Sequence, residues 1–232
     1  VFLQLIVMVM SFAPLGVFCL IGKFVIADGL DIFQDVLAYV VLLISLLFFH
    51  ALFTYSIFLK FIGGLNPLTF FKKMKNVALF AFSTSSSAAT IPVTLKTVNQ
   101  DLGVNQNVAS FVVPVGATIN MDGTAIMQGL ATVFIAQMSG IDLTLFQYIQ
   151  VVLLAVATSI GTAAVPSAGT ITLIIILQQF NLPLEAIGII LAVDRVLDMI
   201  RTSVNVTGDA AIACIVAKSE NQLDENIFNS KA

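Results

Sequence analysis

The chain has 232 residues, a length that ordinarily means one or two soluble domains. Hydrophobic residues make up 59% of it and charged residues only 10%, against about 25% charged in a globular domain. With a mean hydropathy of +1.04, too few charges remain to coat a soluble surface, which excludes a cytosolic enzyme and a disordered chain. Ten basic residues against thirteen acidic ones offer no phosphate-binding stripe, so nucleic acid is not an expected partner. The lipid bilayer is. Cys19 and Cys214 both lie in apolar stretches and support neither a disulfide framework nor a metal site.

Residues 1–22 carry no charge and are long enough to span a bilayer, with Pro14 as a kink that neighbouring helices can repair. The chain begins at Val1 and its first charge is Lys23; no basic leader precedes the apolar run. It therefore reads as the rear part of a longer protein, not as a signal peptide. An acidic loop follows, with Asp28, Asp31 and Asp35, and then a second uncharged run at 36–59 that contains only His50. The basic cluster Lys72, Lys73 and Lys75, with Lys60 nearby, places this end inside the cell and the acidic loop outside.

Beyond it the apolar runs are interrupted. Ser83 to Ser87 and Pro92 break residues 76–95, Asn120-Met121-Asp122-Gly123-Thr124 breaks 102–141, and Gly161 to Gly169 breaks 143–184. The arms around the two small-residue breaks are about 8 to 15 residues long, short of the roughly 20 a spanning helix needs. Re-entrant helical hairpins fit such arms, provided protein or a watery cavity satisfies the tips. An internal repeat supports this reading: Thr84 to Pro92 aligns without gaps on Thr158 to Pro166, with four of nine positions identical. Each copy precedes an Asn-x-x-Gly element with an acid beside it, Asn120 to Gly123 with Asp122 and Asn205 to Gly208 with Asp209, read as two broken helices that expose carbonyls. Paired interruptions in corresponding halves point to a transporter's binding site.

The last apolar segment, 186–217, carries the chemistry. Asp194, Asp198, Arg201, Thr202, Asn205 and Asp209 fall within an arc of roughly 100° at helical periodicity, while the other faces are Ile, Val, Leu, Met and Ala. A charge at the bilayer centre costs at least about 2.5–3.5 kcal/mol, so these groups face a protein interior or a watery site. One reading is a structural network in which Arg201 neutralises Asp198. The other follows from the imbalance: Asp122, Asp194, Asp198 and Asp209 stand against Arg201 and Arg195. Surplus buried carboxylates invite cations, and carboxylate, amide and carbonyl oxygens suit a hard monovalent one. The planar fork of Arg201 then remains for a carboxylate and Asp198 for an ammonium, a site for a zwitterion with an extra carboxylate. The tips Ser85–Ser87 and Val165–Gly169 offer hydroxyls and backbone N–H groups beside half-helix ends. Close helix packing is the plainer use of such small residues.

These motifs carry a resemblance. Thr84 to Pro92, Asn120 to Thr124 and Asp198-Met199-Ile200-Arg201-Thr202-Ser203-Val204-Asn205-Val206-Thr207-Gly208-Asp209 are similar to the glutamate transporter family of dicarboxylate/amino acid:cation symporters. The likeness covers essentially the whole chain. It implies an all-α integral membrane fold of transmembrane helices plus two re-entrant helical hairpins, an inverted-repeat core that works by elevator movement. Residues 1–60 would be two transmembrane helices, the end of a scaffold and the first helix of the moving domain. Residues 61–232 would be the transport core: first hairpin about 68–99, broken helix about 104–138, second hairpin about 143–181, last helix about 184–218, then a cytoplasmic tail.

The resemblance also implies roles. Arg201 would hold the substrate side-chain carboxylate and Asp198 its amino group, with Thr202, Asn205, Thr124, Ser86, Ser87, Val165 and Gly169 completing the contacts and Asp194 on the same face. Gly116, Asn120, Asn205 and Asp209 would form one sodium site; Thr118, Met121, Ser159, Ile160 and Thr162 a second; Asn120 and Asp122 part of a third. An acid at 198 favours an acidic amino acid over a plain dicarboxylate, and an acid at 209 favours sodium over proton coupling. Many members carry a further arginine where Ser85 or Met199 stands here. The expected activity is sodium-coupled symport of aspartate or glutamate across the cell's inner (plasma) membrane by a multi-pass protein. No cofactor is expected beyond sodium as coupling ion, and the full-length form would be a homotrimer. Symport of C4-dicarboxylates or neutral amino acids, driven by protons or sodium, is the nearest alternative, and a passive ion channel a further one. An intramembrane hydrolase is disfavoured, because His50 stands alone with no Gly-x-Ser-x-Gly elbow and reads as a packing residue.

Overall fold

A computed structural model of the protein describes residues 32–230 and a few isolated positions before them. Most of the first expected span at 1–22, its Pro14 kink included, and Asp28 and Asp31 of the acidic loop lie outside the described residues. Helix α1 is α-helical over Ile32–Phe49, passes through a π-helical turn at His50–Thr54, and ends in a second one at Phe58–Ile62. It is the one helix among the described residues that is long and apolar enough to cross a membrane. Helices α2 (Pro67–Thr84) and α3 (Ser87–Gln100) follow, then α4 (Gln106–Ile119), α5 (Asp122–Met138), α6 (Leu145–Ile160), α7 (Ala168–Gln179), the long α8 (Ile187–Ser219) and the short α9 (Glu225–Asn229). No strand occurs among the described residues, only an isolated bridge between Val104 and Leu223.

Local chemistry sets the helix ends. Asn66 caps α2 by accepting from the Leu68 N–H, with Pro67 in the first turn where its missing N–H costs nothing. Thr144 and Gln147 form a capping box at the start of α6. The tips need strained backbone: Ser85 ends α2 at φ 51° and Ser167 precedes α7 at φ 59°, both in the left-handed region. Such conformations cost an L-residue roughly 1–2 kcal/mol and cluster at functional sites. Pro92 and Pro114 are accommodated inside α3 and α4. The arms α2, α3, α6 and α7 hold 18, 14, 16 and 12 residues. At 1.5 Å per residue none reaches the ~30 Å of a hydrocarbon core.

Helix α8 is the axis of the fold and touches α1, α2, α3, α4, α5 and α7. Its first Asn-x-x-Gly counterpart does break: Asn120 and Met121 leave helical geometry between α4 and α5. The expected second break at 205–209 does not occur, and α8 runs through it unbroken. A helical glycine costs only about 1 kcal/mol. At Gly208 it is kept for space, since a Cβ there would lie 2.5 Å from Tyr55 Oη and 2.6 Å from Asn120 Nδ2. The outer faces of the bundle are apolar: Phe48, Phe49, Phe61, Phe111, Leu145 and Phe146 are all exposed.

Lys73, one of the basic cluster expected inside the cell, is set apart from its neighbours Lys72 and Lys75, which are exposed. It is buried, and its ammonium donates to the Asp101 carbonyl (2.8 Å), the Ile227 carbonyl (2.7 Å) and Ser230 Oγ (3.2 Å). It thereby ties α9, anchored by the buried Phe228, to the base of the first helix pair. Lys73→Met should lower stability by about 1–3 kcal/mol, because three partly buried hydrogen bonds from one ammonium to the Asp101 and Ile227 carbonyls and Ser230 Oγ are lost. Thermal unfolding in detergent checks this, and an unchanged transition would show that the clamp contributes nothing.

Candidate functional site

The two tips meet. Ser86 caps α3 through the Ala89 N–H, and its hydroxyl donates to the Ala164 carbonyl at 2.8 Å across the gap between the helix pairs. The Ala88 N–H donates to the same carbonyl at 3.4 Å. Beneath this contact lies the polar face of α8. Asp194, Asp198, Arg201, Thr202, Asn205 and Asp209 are all buried, each at most 5% exposed, as their common arc requires. Arg195 is exposed and points away, leaving Arg201 as the arginine of the cluster.

Arg201 is held at both ends of its fork. Nη2 donates to Asp198 Oδ1 at 2.5 Å and Nη1 to Asp194 Oδ1 at 3.3 Å. The other oxygen of Asp198 accepts the Ser167 N–H at 2.9 Å, so the second tip is latched onto the same carboxylate. Asp194 Oδ2 is buried without a partner. The chamber at this point is lined by Ser85, Ser87, Thr124, Val165, Gly169 and Thr202, among others, over Asp198, Arg201 and Asn205. The space within is about 20 Å³, room for a water and not for an amino acid. This is a closed arrangement in which the protein's own carboxylate occupies the guanidinium. Gly169 is needed at its wall, because a Cβ would lie 2.8 Å from Thr124 Cγ2.

A second polar corner sits on the other side of the break. Gly123 N–H donates to Asn205 Oδ1 at 2.8 Å, and Asn205 Nδ2 donates to Thr124 Oγ1 at 3.3 Å, so Asn205 serves the first turn of α5. Asn120 Nδ2 donates to Asp209 Oδ1 at 2.9 Å and approaches the Asn205 carbonyl at 3.4 Å. Gly116 is pressed against Asp209; a Cβ there would be 2.7 Å from Oδ1. Gly116, Asn120, Asn205 and Asp209 are thus brought together as oxygen-rich neighbours. Turning the Asn120 amide over would place its Oδ1, in place of Nδ2, beside the carboxylate.

The group expected as a second sodium site is less assembled. Met121 and Thr162 line the chamber and Ser159 is buried, whereas Thr118 and Ile160 are exposed. The Thr118 hydroxyl turns back to the Val115 carbonyl and that of Ser159 to Val156. Ser86 sits at the tip-to-tip contact outside the chamber lining, and Asp194 lies behind Arg201.

Several residues at the site were given no role there by sequence reasoning. His50, read as packing, places Nε2 2.9 Å from Asp122 Oδ2, and Tyr55 donates to the same oxygen at 2.9 Å. The available signal was the rarity of an ionisable residue in an uncharged helix. Gln128, fully buried, donates to the Gly169 carbonyl and Thr172 Oγ1 and accepts from Thr158, fastening both arms of the second helix pair to α5. Ser85 was noted as part of the tip and as a place where many family members carry arginine, without a role here; its hydroxyl is buried and unpartnered.

Among the described residues the protein is helical, with an apolar exterior and the charged face of α8 turned inward onto a small polar chamber, the build of a membrane-type helical bundle. The chain belongs to the sodium:dicarboxylate symporter family, whose model matches residues 1–219. It is 42% identical over 218 residues to an excitatory amino acid transporter of Caenorhabditis elegans, covering 93% of this chain and 43% of that protein. It is 41% identical over 225 residues to excitatory amino acid transporter 2 of Homo sapiens (96% of this chain, 39% of that one). Against excitatory amino acid transporter 3 of Mus musculus it is 39% identical over 231 residues (99% and 44%). The chain thus spans about two fifths of the length of these curated relatives.

Proposed function

We propose that this chain forms the substrate- and ion-binding core of a sodium-coupled symporter of acidic amino acids in the cell's plasma membrane. The observation that carries the reading is the surplus of negative charge inside the fold. Asp122, Asp194, Asp198 and Asp209 face inward, and among the described residues the cationic partners they meet are Arg201 and, when protonated, His50. A purely structural buried pair adds little stability and gives no reason to retain unpaired carboxylates beside it. Coupling cations supply the missing charge, and a substrate carboxylate supplies Arg201 with a partner in place of Asp198. The names of the relatives, excitatory amino acid transporters of a sodium:dicarboxylate symporter family, support the same substrate and ion.

In this reading α2–α3 and α6–α7 are re-entrant hairpins related by an inverted repeat, and residues 61–232, together with the second of the two helices in 1–60, move as an elevator against a scaffold that includes the first. The complete transporter is a multi-pass homotrimer. Substrate entry requires the second tip to lift, which breaks the Ser167–Asp198 and Ser86–Ala164 bonds. Arg201 then exchanges Asp198 for the substrate carboxylate, and the freed Asp198 takes the ammonium. Thr124, Thr202, Asn205, Ser87, Val165 and Gly169 close around the ligand. Gly116, Asn120, Asn205 and Asp209 hold one sodium; Thr118, Met121, Ser159, Ile160 and Thr162 gather on a second when the tip closes; Asn120 and Asp122 contribute to a third.

Calorimetric titration of the full-length protein with L-aspartate, L-glutamate and succinate, with and without sodium, tests the reading. Binding of an acidic amino acid should require sodium and exceed that of succinate, which has no ammonium for Asp198. Sodium-independent binding, or stronger binding of succinate, would reject it.

A further inference from the structure

The first π-helical turn of α1 is placed where chemistry uses it. Such turns occur mostly singly and often at functional sites. In an α-helix, positions five apart point about 140° away from each other. In a π turn they are hydrogen-bonded neighbours on one side. His50 and Tyr55 are such a pair across His50–Thr54, with rings 5.0 Å apart, edge to face. Both reach Asp122 Oδ2 at 2.9 Å, which leaves Asp122 Oδ1 buried and without a partner. The Tyr55 hydroxyl shares its proton with the Val204 carbonyl at 3.2 Å. It occupies the room that Gly208 leaves open on α8, one turn from Asn205 and next to Asp209. Tyr55 is 3% exposed.

We infer that Tyr55 is a positioning residue of the coupling-cation site: it ties the Asn120–Asp122 break to the Val204–Asp209 stretch of α8 and turns Asp122 so that one oxygen stays free for a cation. The inference rests on the sodium coupling proposed above. Its physical basis is that a cation site built from two separate helices needs their spacing fixed by a third, and that a carboxylate pinned at one oxygen presents the other in a single direction. The tyrosine hydroxyl does both with one atom, and the π turn is what brings it and His50 to the same oxygen.

Tyr55→Phe keeps the ring and its packing and removes only the hydroxyl. In the full-length protein, the sodium concentration that half-saturates L-aspartate binding, read by calorimetry, should rise on the order of tenfold, the scale of a lost outer partner of an ion ligand. Aspartate affinity at saturating sodium and the unfolding temperature in sodium-free buffer should stay as in the wild type. A sodium response that does not shift while the wild type is sodium-dependent overturns this inference alone. So does a drop in the sodium-free unfolding temperature that accounts for the shift, since Tyr55 would then be a packing residue. A wild type that binds aspartate without sodium overturns the coupling and this inference together.

Discussion

Replacing Arg201 by alanine should abolish uptake of aspartate and glutamate by the full-length protein in proteoliposomes, while binding of a small neutral amino acid persists. The guanidinium is the cation buried in the chamber, and its fork already bonds two carboxylates, at 2.5 and 3.3 Å. A substrate carboxylate would take over one of those positions. Truncating one partner of a buried, hydrogen-bonded charge pair costs about 2–5 kcal/mol, roughly 30- to 4000-fold in affinity. Removal also leaves Asp194 and Asp198 uncompensated, which threatens folding by about 3–5 kcal/mol. Arg201→Lys is therefore the companion variant. It keeps the charge and loses the planar fork, so acidic substrates should weaken strongly in a protein that still folds. Uptake of labelled aspartate at the wild-type rate in either variant would remove Arg201 from the substrate site and leave it as a structural counter-ion.

Asp209→Asn is expected to have the second-largest effect, on sodium and not on substrate. The side chain keeps its shape, and its contacts with Asn120 and Gly116 remain possible, but a full negative charge is lost from the corner where α4 and α8 meet. A unit charge about 4 Å from a cation is worth about 4 kcal/mol at an effective dielectric constant of 20. The sodium concentration needed for aspartate binding should therefore rise by at least about tenfold. Gly116→Ala should move the titration in the same direction, since its Cβ would lie 2.7 Å from Asp209 Oδ1 and force the carboxylate aside. An unchanged apparent sodium affinity in the asparagine variant would count against any role of Asp209 in coupling.

The two outcomes separate the functions of one helix face. Arg201 and Asp209 are eight residues apart on α8, about two turns, and the break at Asn120–Met121 lies between their surroundings. Asn205 serves both sides, with Oδ1 capping the first turn of α5 and its carbonyl near Asn120. That shared residue joins the surroundings of Arg201 to those of Asp209, and under the proposed function it would link the substrate end to the cation corner. A cation drawn to the corner would reorient Asn120 and bear on the same backbone that carries the chamber wall.

The polar face of α8 was legible because periodicity is local: six side chains at helical spacing in an apolar segment must lie on one buried arc wherever the helix packs. The break at 120–121 was legible from the same kind of signal, polar and small residues between two short apolar arms. Gly208 misled for a physical reason. Glycine either ends a helix or admits a neighbour, and a linear pattern does not distinguish the two. The burial of Lys73 was not legible, because a lysine among lysines is told apart only by the carbonyls that surround it.

By itself, the order of residues determined that this is a membrane-type helical protein, that its last helix turns a charged arc inward, and that two small-residue tips interrupt it. All three depend on composition and spacing within single segments. Only the tertiary structure decided that the tips touch through Ser86 and Ala164, that Asp198 holds Arg201 and Ser167 in a closed chamber, and that His50 and Tyr55 share one oxygen of Asp122. Apart from the Asp198–Arg201 pair, three positions apart on α8, those contacts join residues 31 to 78 positions apart, and two of them use backbone N–H or carbonyl groups that every residue carries, so no side-chain pattern along the chain encodes them.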